Sequence, residues 1–175
     1  ENEKQPSIMR CVKEAEKQLH QIEETKTYLS MKGDPEFLKL TKGYVFGKGN
    51  LEKIGAIQTI GGTSAIRTGL EFLKRGGYNK VIIADPTWGN HIEILKYLKL
   101  ELLLFPHVTA DGKNYTSFKK FLLAQEKGSV LFLQPMNDNP SGIDFTKEQW
   151  KEISTICKER KLFPFFDSAY QGFAV

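Results

Sequence analysis

The sequence predicts an α/β fold, a mostly parallel sheet with helices on both faces, and three observations carry that prediction. Five short apolar runs, at residues 54–60, 80–84, 101–105, 129–134 and 162–166, are strand-like in length and rich in β-branched or aromatic side chains. Between them lie stretches with helical spacing. Strict alternation of the two kinds requires crossover connections, hence parallel strands covered on both sides. A chain of 175 residues is long enough to bury a substantial core.

In order along the chain, residues 6–26 read as an amphipathic helix. Ile8, Val12, Ala15, Leu19 and Ile22 recur at spacings of four, three, four and three and make one apolar stripe. Asp34-Pro35 supplies an N-cap and a proline at the first helical position, which opens a second helix through about Phe46. After the first apolar run, Ile66, Gly69, Leu70 and Leu73 share a helical face. Trp88, Ile92 and Leu95 do so after the second, and Phe118, Phe121 and Leu122 after the third. Trp150, Ile153 and Cys157 follow the fourth, behind Thr146-Lys147-Glu148-Gln149 with the spacing of a capping box.

The net charge of +4 is spread over the whole length. No run of like charge and no basic-aromatic interleaving points to nucleic acid. Cys11 and Cys157 fit neither a metal spacing nor a disulfide framework, so two reduced thiols in a cytoplasmic compartment are expected and no metal is. No apolar stretch approaches the roughly 18 residues of a membrane helix. Asn114-Tyr115-Thr116 has the glycosylation pattern, but no secretory signal accompanies it. The chain ends at Val175 without a closing helix or polar tail and is read as a fragment.

In a sheet of this kind ligands collect at the carboxyl ends of the strands, so the turns there hold the candidate site. Thr59-Ile60-Gly61-Gly62-Thr63-Ser64 places two glycines before a helix, where backbone amides and the helix dipole suit a phosphate. A tight turn capped by Thr63 is the alternative. Trp88, in Asp85-Pro86-Thr87-Trp88-Gly89-Asn90-His91, either stacks on a flat ring or staples its helix to the sheet. His91 has no companion at metal-ligand spacing, since His20 and His107 fall in other patterns; a hydrogen-bonded supporting role is expected. Asn137-Asp138-Asn139-Pro140-Ser141-Gly142 is a polar turn or a rigid mount for a side-chain amide. Asp167 ends one of the most apolar runs, where a carboxylate needs a cation or strong donors; a loop cap is the other possibility.

Taken together, these turns resemble the large-domain motifs of aspartate aminotransferases, class I aminotransferases of pyridoxal phosphate (PLP) fold type I. Pro86-Thr87-Trp88-Gly89-Asn90-His91, Asn139-Pro140-Ser141-Gly142 and Phe165-Phe166-Asp167-Ser168-Ala169-Tyr170-Gln171-Gly172-Phe173 carry the resemblance, with Gln58-Thr59-Ile60-Gly61-Gly62-Thr63 similar to the phosphate loop. It runs from about Pro6 to Ala174. It implies a helical lead-in over residues 1–50 and an incomplete PLP-binding large domain over 51–175.

The resemblance also implies roles. Gly61, Gly62 and Thr63 bind the cofactor phosphate. Trp88 stacks on the pyridine ring and helps meet the substrate carboxylate, and Asn139 bonds the phenolic oxygen and contacts substrate. Asp167 pairs with the ring nitrogen, Tyr170 donates to the phenolic oxygen, and His91 supports Asp167 from behind. Tyr28 reaches the phosphate of a neighbouring subunit, which implies a homodimer. The implied reaction moves the amino group of aspartate to 2-oxoglutarate, with aromatic amino acids as alternative donors. A non-catalytic, subunit-interacting fragment is a further alternative.

The chain departs from the pattern at five positions. Gly61 stands where the family has a serine, Ser64 where it has glycine, Asp138 where it has histidine, Ser141 where it has threonine and Ser30 where it has proline. The lysine that holds the cofactor covalently, in a Ser-x-Ser-Lys context, is not among these 175 residues.

Overall fold

The computed structural model describes residues 8–112 and 114–173. Residues 6 and 7 of the expected first helix, and Ala174 and Val175, lie outside them. Helix α1 spans Arg10–Ile22 and α2 spans Pro35–Phe46. After a 3-10 turn at Leu51–Lys53 come α3 (Gly61–Arg75), β1 (Lys80–Asp85), α4 (Gly89–Tyr97), β2 (Glu101–Pro106) and α5 (Tyr115–Leu123). Strand β3 (Val130–Leu133), α6 (Lys147–Arg160) and β4 (Phe163–Phe166) complete the described chain.

The four strands pair in the order β2-β1-β3-β4, all parallel. Alternation of side chains along each strand sends successive residues to opposite faces. Val81, Ile83, Val130 and Phe132 pack under α3 and α4 with Ile66, Leu70, Leu73, Ile94 and Leu95. Ile82, Ala84, Leu131 and Leu133 pack under α5 and α6 with Phe118, Leu122, Ile153, Ile156 and Cys157. The helical faces read from the sequence for α3, α4, α5 and α6 are these core-facing sides. Gly69 allows α3 to lie close to the sheet, because a Cβ there would stand 2.8 Å from Cε2 of Phe165.

Two capping expectations hold. The Asp34 carboxylate accepts from the Phe37 amide at 2.7 Å, and Thr146 and Gln149 form a reciprocal capping box on α6. Phe37 through Phe46 and Trp150 through Cys157 therefore sit on helices with side-chain-capped starts.

One expected strand is absent. Residues 54–60 are extended chain outside the sheet. Their backbone finds partners in the turn before α2: the Gln58 amide donates to the Lys32 carbonyl at 2.8 Å, and the Gln58 side-chain oxygen accepts from the Asp34 amide at 2.8 Å. Ile57 and Ile60 point outward, Ile60 being 95% exposed, so the apolar content of this run is not core. The apolar stripe of α1 is also present but outward-facing, with no buried residue on the helix.

Candidate functional site

Strand β1 turns to β2 on one side and β3 lies on its other side, so the carboxyl ends of β1 and β3 flank a topological switch point. A cavity of about 270 Å³ opens there, near the lower end of small-molecule pockets, which run from about 300 Å³. Gly62, Thr63, Trp88, Asn139, Asp167 and Tyr170 line it, together with Ile66, Gln134 and Ala169. Six residues predicted from four separate turns thus meet at one place.

Each turn holds its residue by identifiable bonds. Helix α3 begins at Gly61, with φ of +74°, a backbone conformation that favours glycine. A Cβ at Gly61 or Gly62 would meet nothing within 4 Å, so the start of this helix faces open space. The residue in the N-cap position is Ile60 and no side chain caps the helix. Thr63 is therefore the third residue of the helix rather than its cap, which removes the simple-turn alternative for it.

Trp88 occupies the N-cap position of α4, with its indole edge-on to the His91 ring at 5.2 Å between centroids. His91, in the first turn of the helix, is 0% exposed and also packs against Phe132 at 4.5 Å. Its Nε2 lies 2.9 Å from Oδ2 of Asp167, and its Nδ1 lies 2.8 Å from Oγ1 of Thr87. A carboxylate can only accept, so Nε2–H donates to Asp167, and in the neutral ring Nδ1 accepts the Thr87 hydroxyl proton. Asp167 is held on the other side by the sheet, because its amide donates to the Leu133 carbonyl at 2.9 Å. Its side chain keeps 13% exposure, toward the cavity that it lines. The loop-cap alternative for Asp167 does not match this geometry.

After Asp167 the chain is anchored against α2. Gly172 has φ of +90°, and a Cβ there would come 2.0 Å from the Tyr44 hydroxyl, which donates to the Gln171 carbonyl at 3.3 Å. That contact fixes the loop bearing Tyr170.

Tyr28 is not brought to the cavity; it is fully exposed on the segment between α1 and α2. Gly61 opens α3 but is not among the lining residues. The sequence reading gave no role to Gln134, the first polar residue after β3, although its place at the carboxyl end of a central strand was the available signal. Among the described residues no group of His, Cys, Asp or Glu is arranged to hold a metal, and no helix is long and apolar enough to cross a membrane.

The profile of the family "Aminotransferase class I and II" matches residues 1–175. The chain belongs to that family. It is 35% identical over 170 residues to the aromatic-amino-acid aminotransferase of Paracoccus denitrificans, covering 95% of this chain and 43% of that protein. It is 36% identical over 174 residues to the aspartate aminotransferase of Haemophilus influenzae, covering 95% of this chain and 44% of that protein. The structure matches that of an aromatic-amino-acid aminotransferase from Burkholderia pseudomallei covalently bound to pyridoxal phosphate, with a TM-score of 0.87, 30% identity, and coverage of 95% of this chain and 44% of the other. The chain therefore spans less than half the length of the curated relatives it matches.

Proposed function

We propose that this chain is the part of a PLP-dependent transaminase that grips the cofactor, and that the whole protein moves the amino group of aspartate to 2-oxoglutarate. The observation that carries the reading is the buried His91–Asp167 contact aimed at a cavity lined by an indole, an amide, a phenol and a helix start.

The residues fit the group chemically. The open glycine turn and uncapped start of α3 suit a phosphate, with Thr63 as hydroxyl donor. Trp88 offers an aromatic face, and Asn139 and Tyr170 offer donors for a phenolic oxygen. Asp167 supplies an anion for a protonated ring nitrogen. When bound, PLP supplies an electron sink for the charge left as the substrate's Cα–H bond breaks.

The protein's own contribution follows from these placements. Asp167, oriented by the His91 donor at 2.9 Å, would pair with a protonated ring nitrogen of the bound cofactor. Thr87 fixes the imidazole that does this. Asn139 and Tyr170 would offer donors to the ring's phenolic oxygen, and Trp88 would offer it an aromatic face. Covalent attachment and proton transfer at Cα belong to a lysine outside this chain.

Aspartate is the preferred donor and aromatic amino acids the second reading, supported by relatives named for each at almost the same identity. The exposed Tyr28 is assigned to the phosphate site of a second copy in a homodimer, and the compartment to the cytoplasm. The test is direct. The full-length protein, given PLP, gains a visible absorption band and transfers nitrogen to 2-oxoglutarate, with kcat/KM higher for aspartate than for phenylalanine. Absence of both band and transfer overturns the reading; preference for phenylalanine replaces the donor.

A further inference from the structure

Behind the cavity lies a second buried network that the reading above does not use. His107 follows β2 and is held by its backbone: its amide donates to the Asp85 carbonyl at 3.1 Å, and its carbonyl accepts from the Asn114 side chain at 2.7 Å. Its Nδ1 lies 2.9 Å from the Val108 carbonyl and its Nε2 lies 3.3 Å from Oδ2 of Asp138. Both oxygens can only accept, and only the imidazolium has two N–H donors. The side chains are 8% and 6% exposed, so this is a buried ion pair.

Asp138 in turn fixes an amide. Nε2 of Gln134 donates to Oδ2 of Asp138 at 3.0 Å and to the Asn139 carbonyl at 3.0 Å. Oε1 of Gln134 accepts from the Asn139 amide at 3.1 Å. A flipped amide would set oxygen against the Asp138 carboxylate as well as against the Asn139 carbonyl, so the charge on Asp138 reinforces the one orientation in which Gln134 pairs with the Asn139 main chain. Ser141 completes the set by donating to Oδ1 of Asp138 at 2.7 Å. Gln134 and Asn139 both line the cavity.

We propose that His107 and Asp138 are positioning residues, a buried ion pair whose effect, relayed by the Gln134 amide, is to fix the main chain of Asn139 and so the placement of its side-chain amide in the site. The inference rests on the PLP reading, since it gives Asn139 a phenolic oxygen to meet. An ion pair of this kind gains little stability over apolar side chains of similar volume. What it adds is a single allowed arrangement: cation, anion, amide orientation, backbone. The only other charged group placed against this turn, among the described bonds, is Asp144, whose carboxylate accepts from the amides of Asn137 and Asp138 at 2.8 and 3.0 Å.

The experiment uses the full-length protein with bound PLP and reads the pH midpoint of the cofactor's visible absorption beside the melting temperature. A donor on the phenolic oxygen withdraws electron density and keeps that midpoint low, so a misplaced Asn139 raises it. His107→Gln and Asp138→Asn are each expected to raise the midpoint by roughly half a pH unit or more, and the double variant no further than the larger single. Thr146→Ala, which uncaps α6 away from the network, lowers the melting temperature and leaves the midpoint unchanged. If Asp138→Asn does not fold, Ser141→Ala and His107→Gln read the same shift. Variants that melt earlier with the wild-type midpoint overturn the inference alone. A wild-type protein that shows neither a PLP absorption band nor amino transfer overturns the functional reading and this inference with it; one whose bound PLP shows no titration overturns the inference alone.

Discussion

Nε2 of His91 stands 2.9 Å from Oδ2 of Asp167, a residue 76 positions further along the chain. One partner comes from the first turn of the helix after β1, the other from the end of β4, and β3 lies between those strands. The parallel sheet brings them together, because every strand delivers its following turn to the same edge. The imidazole is enclosed by Trp88 and Phe132, which leaves the carboxylate as the one member of the pair that reaches the cavity.

Removing the imidazole tests that arrangement. His91→Ala takes away a fully buried ring and leaves the Thr87 hydroxyl and the Asp167 carboxylate short of a partner. Urea unfolding of the full-length protein is expected to show a loss of roughly 2–4 kcal/mol. Substitution by phenylalanine recovers packing against Phe132 but not the donor, so its loss is smaller while PLP still binds more weakly than in the wild type.

The close approach of α3 to the sheet gives a second prediction. In Gly69→Ala the new methyl meets the Phe165 ring at 2.8 Å, and that ring is itself packed on Phe132 at 5.1 Å. Overpacking costs about 1–3 kcal/mol, against a helix-propensity gain of about 1 kcal/mol. Thermal melting is expected to show net destabilisation; a rise in melting temperature would show that Phe165 moves aside freely.

The pH dependence of stability follows from His107 and Asp138. The hydrogen bond to Asp138 raises His107 above its ordinary 6.5, outweighing burial, which lowers it; the Val108 carbonyl and the charges of Asp138 and Asp144 add to the rise. Burial pushes Asp138 up, but the His107 and Ser141 hydrogen bonds together hold it below its ordinary 3.8. The histidine's contribution is full below pH 6.5 and is lost as pH rises through its raised folded value. The aspartate's is full above pH 3.8 and is lost as pH falls through its lowered folded value. Wild type minus His107→Gln, measured by denaturant unfolding, should therefore show its largest difference near pH 5–6 and a smaller one near pH 9. A difference that grows toward pH 9 would mean that the ring is buried neutral.

Much of this molecule was legible because its signals are local. Helical faces such as Ile66-Leu70-Leu73 and caps such as Asp34 and Thr146 are decided within a turn of chain. The turns bearing Trp88, Asn139 and Asp167 lie where any parallel sheet gathers its ligands. The run at 54–60 misled because extended, apolar chain is common to strands and to linkers, and only the distant turn at Lys32 and Asp34 takes its hydrogen bonds. His107 could not be joined to Asp138 from sequence, since their contact crosses from the end of β2 to the turn after β3. Spacing carries no information about such a contact.

The central claim is that Asp167 holds the proton on the cofactor's ring nitrogen, and one measurement bears on it most directly. In the full-length protein, exchange of the substrate's Cα hydrogen with solvent is followed for wild type, Asp167→Ala and Asp167→Glu, normalised to bound PLP. The alanine variant is expected to fold, to retain PLP and to exchange more slowly by several orders of magnitude, about 1.4 kcal/mol of transition-state stabilisation for each tenfold. The glutamate variant, which keeps the charge and shifts its position, should lose less. An alanine variant that melts earlier but exchanges at the wild-type rate would contradict the account.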